Sequence, residues 1–301
     1  MKHISKLLAT LLLSLAALHA SAALNIFACE PEWGALAKEL AGDKATIYIA
    51  TTALQDPHRI EARPSLIARA RGADLAVCTG AELEVGWLPL VQSQSGNPKI
   101  QAGRPGLFEA ARYVTMLEVP QRLDRAQGDV HPGGNPHIHL DPRNIARVAA
   151  ALAERMAELD PPEATQYRAR AKAFLERWQQ AIARWEKAGG PLKGMAIVVY
   201  HKNLTYLSSW LGLREVAALE PKPGLPPSAS HLSELLANLG REPAKAVVRS
   251  AYNDERAAAW LAERAKIPSI ALAYTVGGND KAQDLFGLFD DTVTRLLAAA
   301  K

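Results

Sequence analysis

Residues 161–187 read PPEATQYRARAKAFLERWQQAIARWEK, and the apolar positions Tyr167, Ala171, Phe174, Trp178, Ile182 and Trp185 recur at spacings of three or four. That period puts one apolar stripe along a single long helix. Pro161 and Pro162 suit its first turn, and Gly189-Gly190-Pro191 stops it. At 1.5 Å per residue, some 26 residues would run about 39 Å, long enough to brace two lobes. The stripe would equally serve a helix covering one sheet; the flanking sequence points to the brace.

On both sides, short β-branched or apolar runs alternate with helical patterns, the signature of βαβ units around a parallel sheet. Strands are expected at 23–29, 45–52 and 74–80 before the long helix, and at 195–200, 214–219, 245–251 and 269–274 after it. Helices are expected at 31–41, 65–71, 82–93, 203–211, 230–239, 254–265 and 281–299. The expected fold is therefore α/β: two lobes, each a parallel-sheet βα sandwich, with a cleft between them. The first spans 23–160, the linking helix 161–188 and the second 189–301.

The chain opens with Lys2 and Lys6, an apolar run from Leu7 to Leu18, and Ala20-Ser21-Ala22, the order of a secretory signal peptide cleaved after Ala22. The run is shorter than the roughly 20 residues a membrane span needs. Losing it removes Lys2 and Lys6 and no acid, so the formal charge falls from +4 to +2. That is too little to argue for nucleic-acid or membrane-surface binding. In an exported chain the two cysteines, Cys29 and Cys78, suggest a disulfide. Each ends a strand-like run, and parallel neighbouring strands would bring the thiols together; a thiolate metal ligand is the alternative, without CxxC spacing to support it.

Of the eight histidines, His3 and His19 leave with the leader. His58 follows the second strand in Gln55-Asp56-Pro57-His58, His201 ends Val198-Val199-Tyr200-His201, and His137 precedes a helix that Asp141 can cap and Pro142 can open. These are strand-end placements, the edge where open α/β sheets put their ligands. Three neutral imidazoles suit a tetrahedral ion, zinc first, with copper or nickel also accommodated. Singly, each histidine is more ordinarily a loop residue; the shared placement carries the reading.

With those motifs in hand, the chain resembles the zinc- and manganese-type solute-binding proteins of ABC transporters. The resemblance rests on Asp56-Pro57-His58 with Arg63-Pro64-Ser65, Gly80-Ala81-Glu82-Leu83-Glu84, Asn135-Pro136-His137 with Leu140-Asp141-Pro142, and Val199-Tyr200-His201. It implies two lobes on a rigid helix and ligation by His58, His137 and His201. A histidine at the third position leans toward Zn²⁺ over Mn²⁺ as the transported ion. It also implies a periplasmic protein that performs no reaction and hands its ion to an ABC permease in the inner membrane. A periplasmic metallochaperone is an optional further partner, and a monomer is expected.

Two departures matter. The family often offers an aspartate after its last strand, whereas Leu272-Ala273-Tyr274-Thr275-Val276-Gly277-Gly278 holds no acid before Asp280. The fourth ligand stays open: water or Asp280 leads, then Glu61 or His139. The family's long histidine-rich loop is also missing, and Asp124 to Gly134 holds only His131. His131 and His139 are expected to pass an ion inward or support the ligands, or to be plain loop residues. His231 and the tryptophans Trp33, Trp87, Trp210 and Trp260 are read as structural, and Glu82 and Glu84 as solvating a helix start.

Two rivals remain. A zinc-dependent hydrolase would need a base such as Asp56 or Glu61, and the helical HExxH signature is absent. A binding protein for a metal chelate or organic solute would use the histidines only as hydrogen-bonding groups. No GxxxxGK[ST] loop is present for ATP.

Overall fold

Runs such as Leu75-Ala76-Val77-Cys78 and Ala196-Ile197-Val198-Val199 are apolar on both faces, as strands inside a parallel sheet must be. The computed structural model describes residues 23–122 and 131–301. The expected leader over residues 1–22, with its cleavage site, lies outside the described residues, as does 123–130 of the loop before His131.

The first lobe runs β1 (Leu24–Ala28), α1 (Pro31–Ala41), β2 (Ala45–Ile49), α2 (Pro64–Arg71), β3 (Leu75–Cys78), α3 (Leu88–Ser95) and β4 (Leu107–Glu109). Its sheet is wholly parallel in the order β2-β1-β3-β4. After α4 (Pro142–Leu159) and α5 (Ala164–Gly189), the second lobe runs β5 (Ala196–Val199), α6 (Thr205–Leu211), β6 (Arg214–Ala218), α7 (Ala229–Leu239), β7 (Ala246–Ser250), α8 (Glu255–Ala265), β8 (Ser269–Leu272) and α9 (Leu285–Ala299). Its parallel sheet follows the equivalent order, β6-β5-β7-β8.

The helix α5 buries Tyr167, Ala171, Phe174, Trp178, Ile182 and Trp185, the whole of the expected stripe. From its first turns to its middle it is tied to the first lobe, where Arg177 pairs with Glu39 at 2.6 Å and Arg170 donates to the Glu39 carbonyl at 3.0 Å. Its second half is tied to the second lobe. Trp185 Nε1 donates to Asp290 at 2.5 Å, and the Trp178 ring stands 4.9 Å from that of Phe286 and 5.6 Å from that of Phe289. One rod is thus anchored in both lobes.

Three details differ from the sequence expectation. The strand β4 is not among the expected strands, because three residues carry too little pattern. The expected helix at 82–93 starts only at Leu88: Ala81 and Glu82 take φ of 50° and 66°, outside helical space. Glu84, expected at a solvated helix start, is buried. Its carboxyl accepts the Thr79 amide at 2.6 Å and the Gly80 amide at 3.0 Å. Cys29 and Cys78, at the ends of the neighbouring strands β1 and β3, form a disulfide.

Candidate metal centre

His58 lies in the loop after β2 and His201 just past β5, as expected, whereas His137 is not at a strand end but in the segment that leads into α4; each is oriented by an oxygen behind it. In Asp56-Pro57-His58 the Asp56 Oδ1 accepts the His58 backbone amide at 3.0 Å and lies 2.8 Å from its Nδ1. Asn135-Pro136-His137 repeats the device: Asn135 Oδ1 accepts the His137 amide at 3.0 Å and lies 2.8 Å from Nδ1. In both, the proline fixes the middle of the turn, so one short side chain holds main chain and ring together. His201 is held from the next strand over, with Glu220, just past β6, 2.7 Å from its Nδ1. The Glu220 carboxylate also accepts the Gly224 amide at 2.9 Å.

With Nδ1 occupied by an acceptor, Nε2 is the nitrogen left to bind a cation. The ring centroids of His58 and His137 are 5.3 Å apart, those of His58 and His201 5.6 Å, and those of His137 and His201 5.4 Å. One ring nitrogen from each falls within 4.8 Å of the others. The Nε2 atoms of His58 and His137 are buried without a hydrogen-bond partner. Buried polar atoms are seldom left unpaired, and two such nitrogens beside a third on His201 could hold a cation.

The electrostatics agree. Burial holds His137 well below the ordinary imidazole range, and the neighbouring His58, His201, His131 and His139 lower it further, keeping it neutral and ready to ligate. Burial pushes Asp56 up, but the hydrogen bonds from His58 outweigh it and hold the carboxyl below its usual value. Beside the triad lies a cavity of about 200 Å³ lined by Asp56, His58, His201, Glu220 and Tyr252 among others. At its rim Arg59 donates to the Gly224 carbonyl at 2.9 Å, joining first lobe to second.

The other sequence candidates fall elsewhere. Asp280 and Glu61 are exposed and do not join the triad. His139 is fully buried but faces away, with Nε2 3.0 Å from the Tyr274 carbonyl and Nδ1 3.3 Å from Glu32. The ring of His131 lies 5.3 Å from that of His58, outside the group of three. His231 lies against the Ala218 carbonyl at 3.1 Å. Sequence reasoning passed over Glu220, whose only signal is an acid just beyond the strand beside β5, and gave Asp56 and Asn135 no part in orienting the rings.

A family model described as the periplasmic zinc-uptake complex component A, ZnuA, matches residues 26–299. The chain belongs to the ZnuA family. The high-affinity zinc uptake system protein ZnuA of Paracoccus denitrificans is 25% identical over 270 residues, 79% of each chain. The zinc-binding lipoprotein AdcA of Streptococcus pneumoniae is 25% identical over 202 residues, 66% of this chain but 39% of that longer protein. A crystal structure of a ZnuA superposes with a TM-score of 0.79 at 22% identity, covering 93% of this chain and all of the other. At that identity the superposition speaks for the fold, the two-lobed architecture on a linking helix, which this ZnuA family member shares.

Proposed function

We propose that this ZnuA family member captures a divalent transition-metal ion, zinc before manganese, on His58, His137 and His201, and releases it to the membrane permease of an ABC transporter. The observation that carries this reading is the convergence of three Nδ1-anchored imidazoles from separate segments, two of them with buried, unpartnered Nε2 atoms. Nitrogen donors without a contacting carboxylate favour zinc over manganese, which prefers oxygen. Membership of a family described by periplasmic zinc uptake supports the cargo, the permease as partner and an exported location. Among the described residues no helix is long and apolar enough to cross a membrane.

Calorimetric titration of the chelator-stripped protein with Zn²⁺ tests the reading. One ion binds per chain, and His58→Ala, His137→Ala and His201→Ala each weaken binding by at least about tenfold, since even outer-shell changes reach that size. Asp280→Asn leaves affinity unaltered. Wild-type affinity in two of the three alanine variants refutes the site.

A further inference from the structure

The loop after β8 reaches the metal centre with a tyrosine held in an uncommon backbone conformation. Tyr274 is buried, and its φ of 69° lies in the left-handed region that bulky residues rarely adopt. Such a conformation persists only where the surroundings fix it, and here they do. The Tyr274 carbonyl accepts from His139 Nε2 at 3.0 Å, and the next residue, Thr275, donates its hydroxyl to Glu32 at 2.5 Å. Glu32 belongs to α1, so this clasp fastens the second lobe's loop to the first lobe beside His137.

The clasp sets where the tyrosine ring goes. Its centroid is 4.8 Å from that of His139, 6.2 Å from that of His137 and 5.2 Å from that of Tyr252, edge-on to each. Tyr252 in turn lines the cavity with Asp56, His58 and His201. The Tyr274 Oη is buried with no hydrogen-bond partner. Leaving a buried hydroxyl unsatisfied is costly, and phenylalanine would fill the same volume without that cost.

The triad leaves a tetrahedral ion one ligand short, and among the described residues no fourth histidine, cysteine or carboxylate joins the three. We infer, resting on the metal-binding reading above, that Tyr274 is a positioning residue for the cargo: its Oη hydrogen-bonds the solvent molecule that fills the ion's fourth position. The ion is then held by three nitrogens and one anchored water. A neutral phenol takes the place a carboxylate would need in order to recruit an oxygen-seeking ion such as Mn²⁺.

Tyr274→Phe removes the hydroxyl alone and tests this in the mature, chelator-stripped protein. Zn²⁺ affinity, read by competition with a chromophoric chelator, is expected to fall about tenfold. The visible d–d bands of the Co²⁺-loaded protein shift, while the thermal midpoint of the metal-free protein does not drop. Unchanged affinity and an unchanged Co²⁺ spectrum overturn the inference. So does an affinity loss that comes with a lowered midpoint and an unaltered spectrum, since that is a packing role. His137→Ala, run alongside, separates the two levels: if it binds Zn²⁺ as the wild type does, the triad reading itself fails and takes this inference with it.

Discussion

The imidazoles of His58, His137 and His201 each commit Nδ1 to an oxygen behind them and leave Nε2 to face the others, whereas the carboxyls of Glu30, Glu32 and Glu84 are met by groups of the protein itself. Glu84 takes the amides of Thr79 and Gly80, Glu30 accepts the Thr79 hydroxyl at 3.3 Å, and Glu32 is met by Thr275 and His139. His137 and the three carboxyls are buried and His58 and His201 half-buried, and the groups are only two residues apart where His137 gives way to His139. The difference is in what completes each. The imidazole group brings one ring nitrogen from each of three histidines together, while burial raises Glu30 and Glu84 toward their protonated forms and Glu84 takes two backbone amides. Neither burial of titratable groups nor an unpartnered polar atom is by itself the mark of the binding site, since Glu30 Oε1, Glu32 Oε1 and His139 Nδ1 are unpartnered as well; the convergence of three imidazole nitrogens is.

The largest effect expected from that contrast is on stability with metal present. At free Zn²⁺ about 1,000-fold above its Kd, the fold gains about 4 kcal/mol. The gain falls by at least about 1.4 kcal/mol in His137→Ala, the equivalent of a tenfold loss of affinity, and is retained in Glu84→Gln, as urea unfolding with and without Zn²⁺ will show. A comparable loss in both variants would erase the distinction between the two groups.

Next in size is the disulfide on which the acid group sits, since Cys29 adjoins Glu30 and Cys78 adjoins Thr79. Replacing both cysteines with serine should cost about 2–4 kcal/mol while leaving Zn²⁺ affinity as it was. Free-thiol labelling of the native wild-type protein should find neither cysteine reactive.

The smallest and most discriminating effect is on pH. His137 is depressed below the imidazole value of 6.5, so the unfolded chain takes up its proton first. Stability of the metal-free fold is lost as pH falls below about 6.5, and metal capture weakens with it. Glu84 runs the other way: burial pushes it from 4.5 up to about 7, so the folded protein keeps a proton that the unfolded chain releases. Its contribution is full below pH 4.5 and fades as pH rises through about 7, by at most about 1.4 kcal/mol for each pH unit crossed. Glu84→Gln should flatten that fall between pH 5 and 7.5 in urea midpoints. An unchanged slope would mean the carboxyl holds no proton there.

Much of this was legible in the sequence. The stripe from Tyr167 to Trp185 is a pattern of period 3.6, and β5 and β7 are apolar runs between turn signals; both depend only on near neighbours in the chain. His58, His137 and His201 stood out because strand ends are where such sheets collect ligands. What was missed depends on distant partners. Glu84 looks like a surface acid until Thr79 and Gly80 turn their amides onto it, and Glu220 gains meaning only beside His201, 19 residues earlier. Tyr274 reads as an ordinary aromatic; its left-handed backbone and stranded hydroxyl exist only once His139 and Glu32 are packed against its loop.

The oxygens behind the rings also govern electroneutrality. Asn135 is uncharged, but Asp56 and Glu220 bring one negative charge each to the backs of His58 and His201. Were the imidazoles to bind an ion in their neutral form, a dication would balance those two carboxylates, and a monovalent or trivalent ion would not. Selection by valence would then rest on two side chains that lie behind the rings rather than among the ligand atoms.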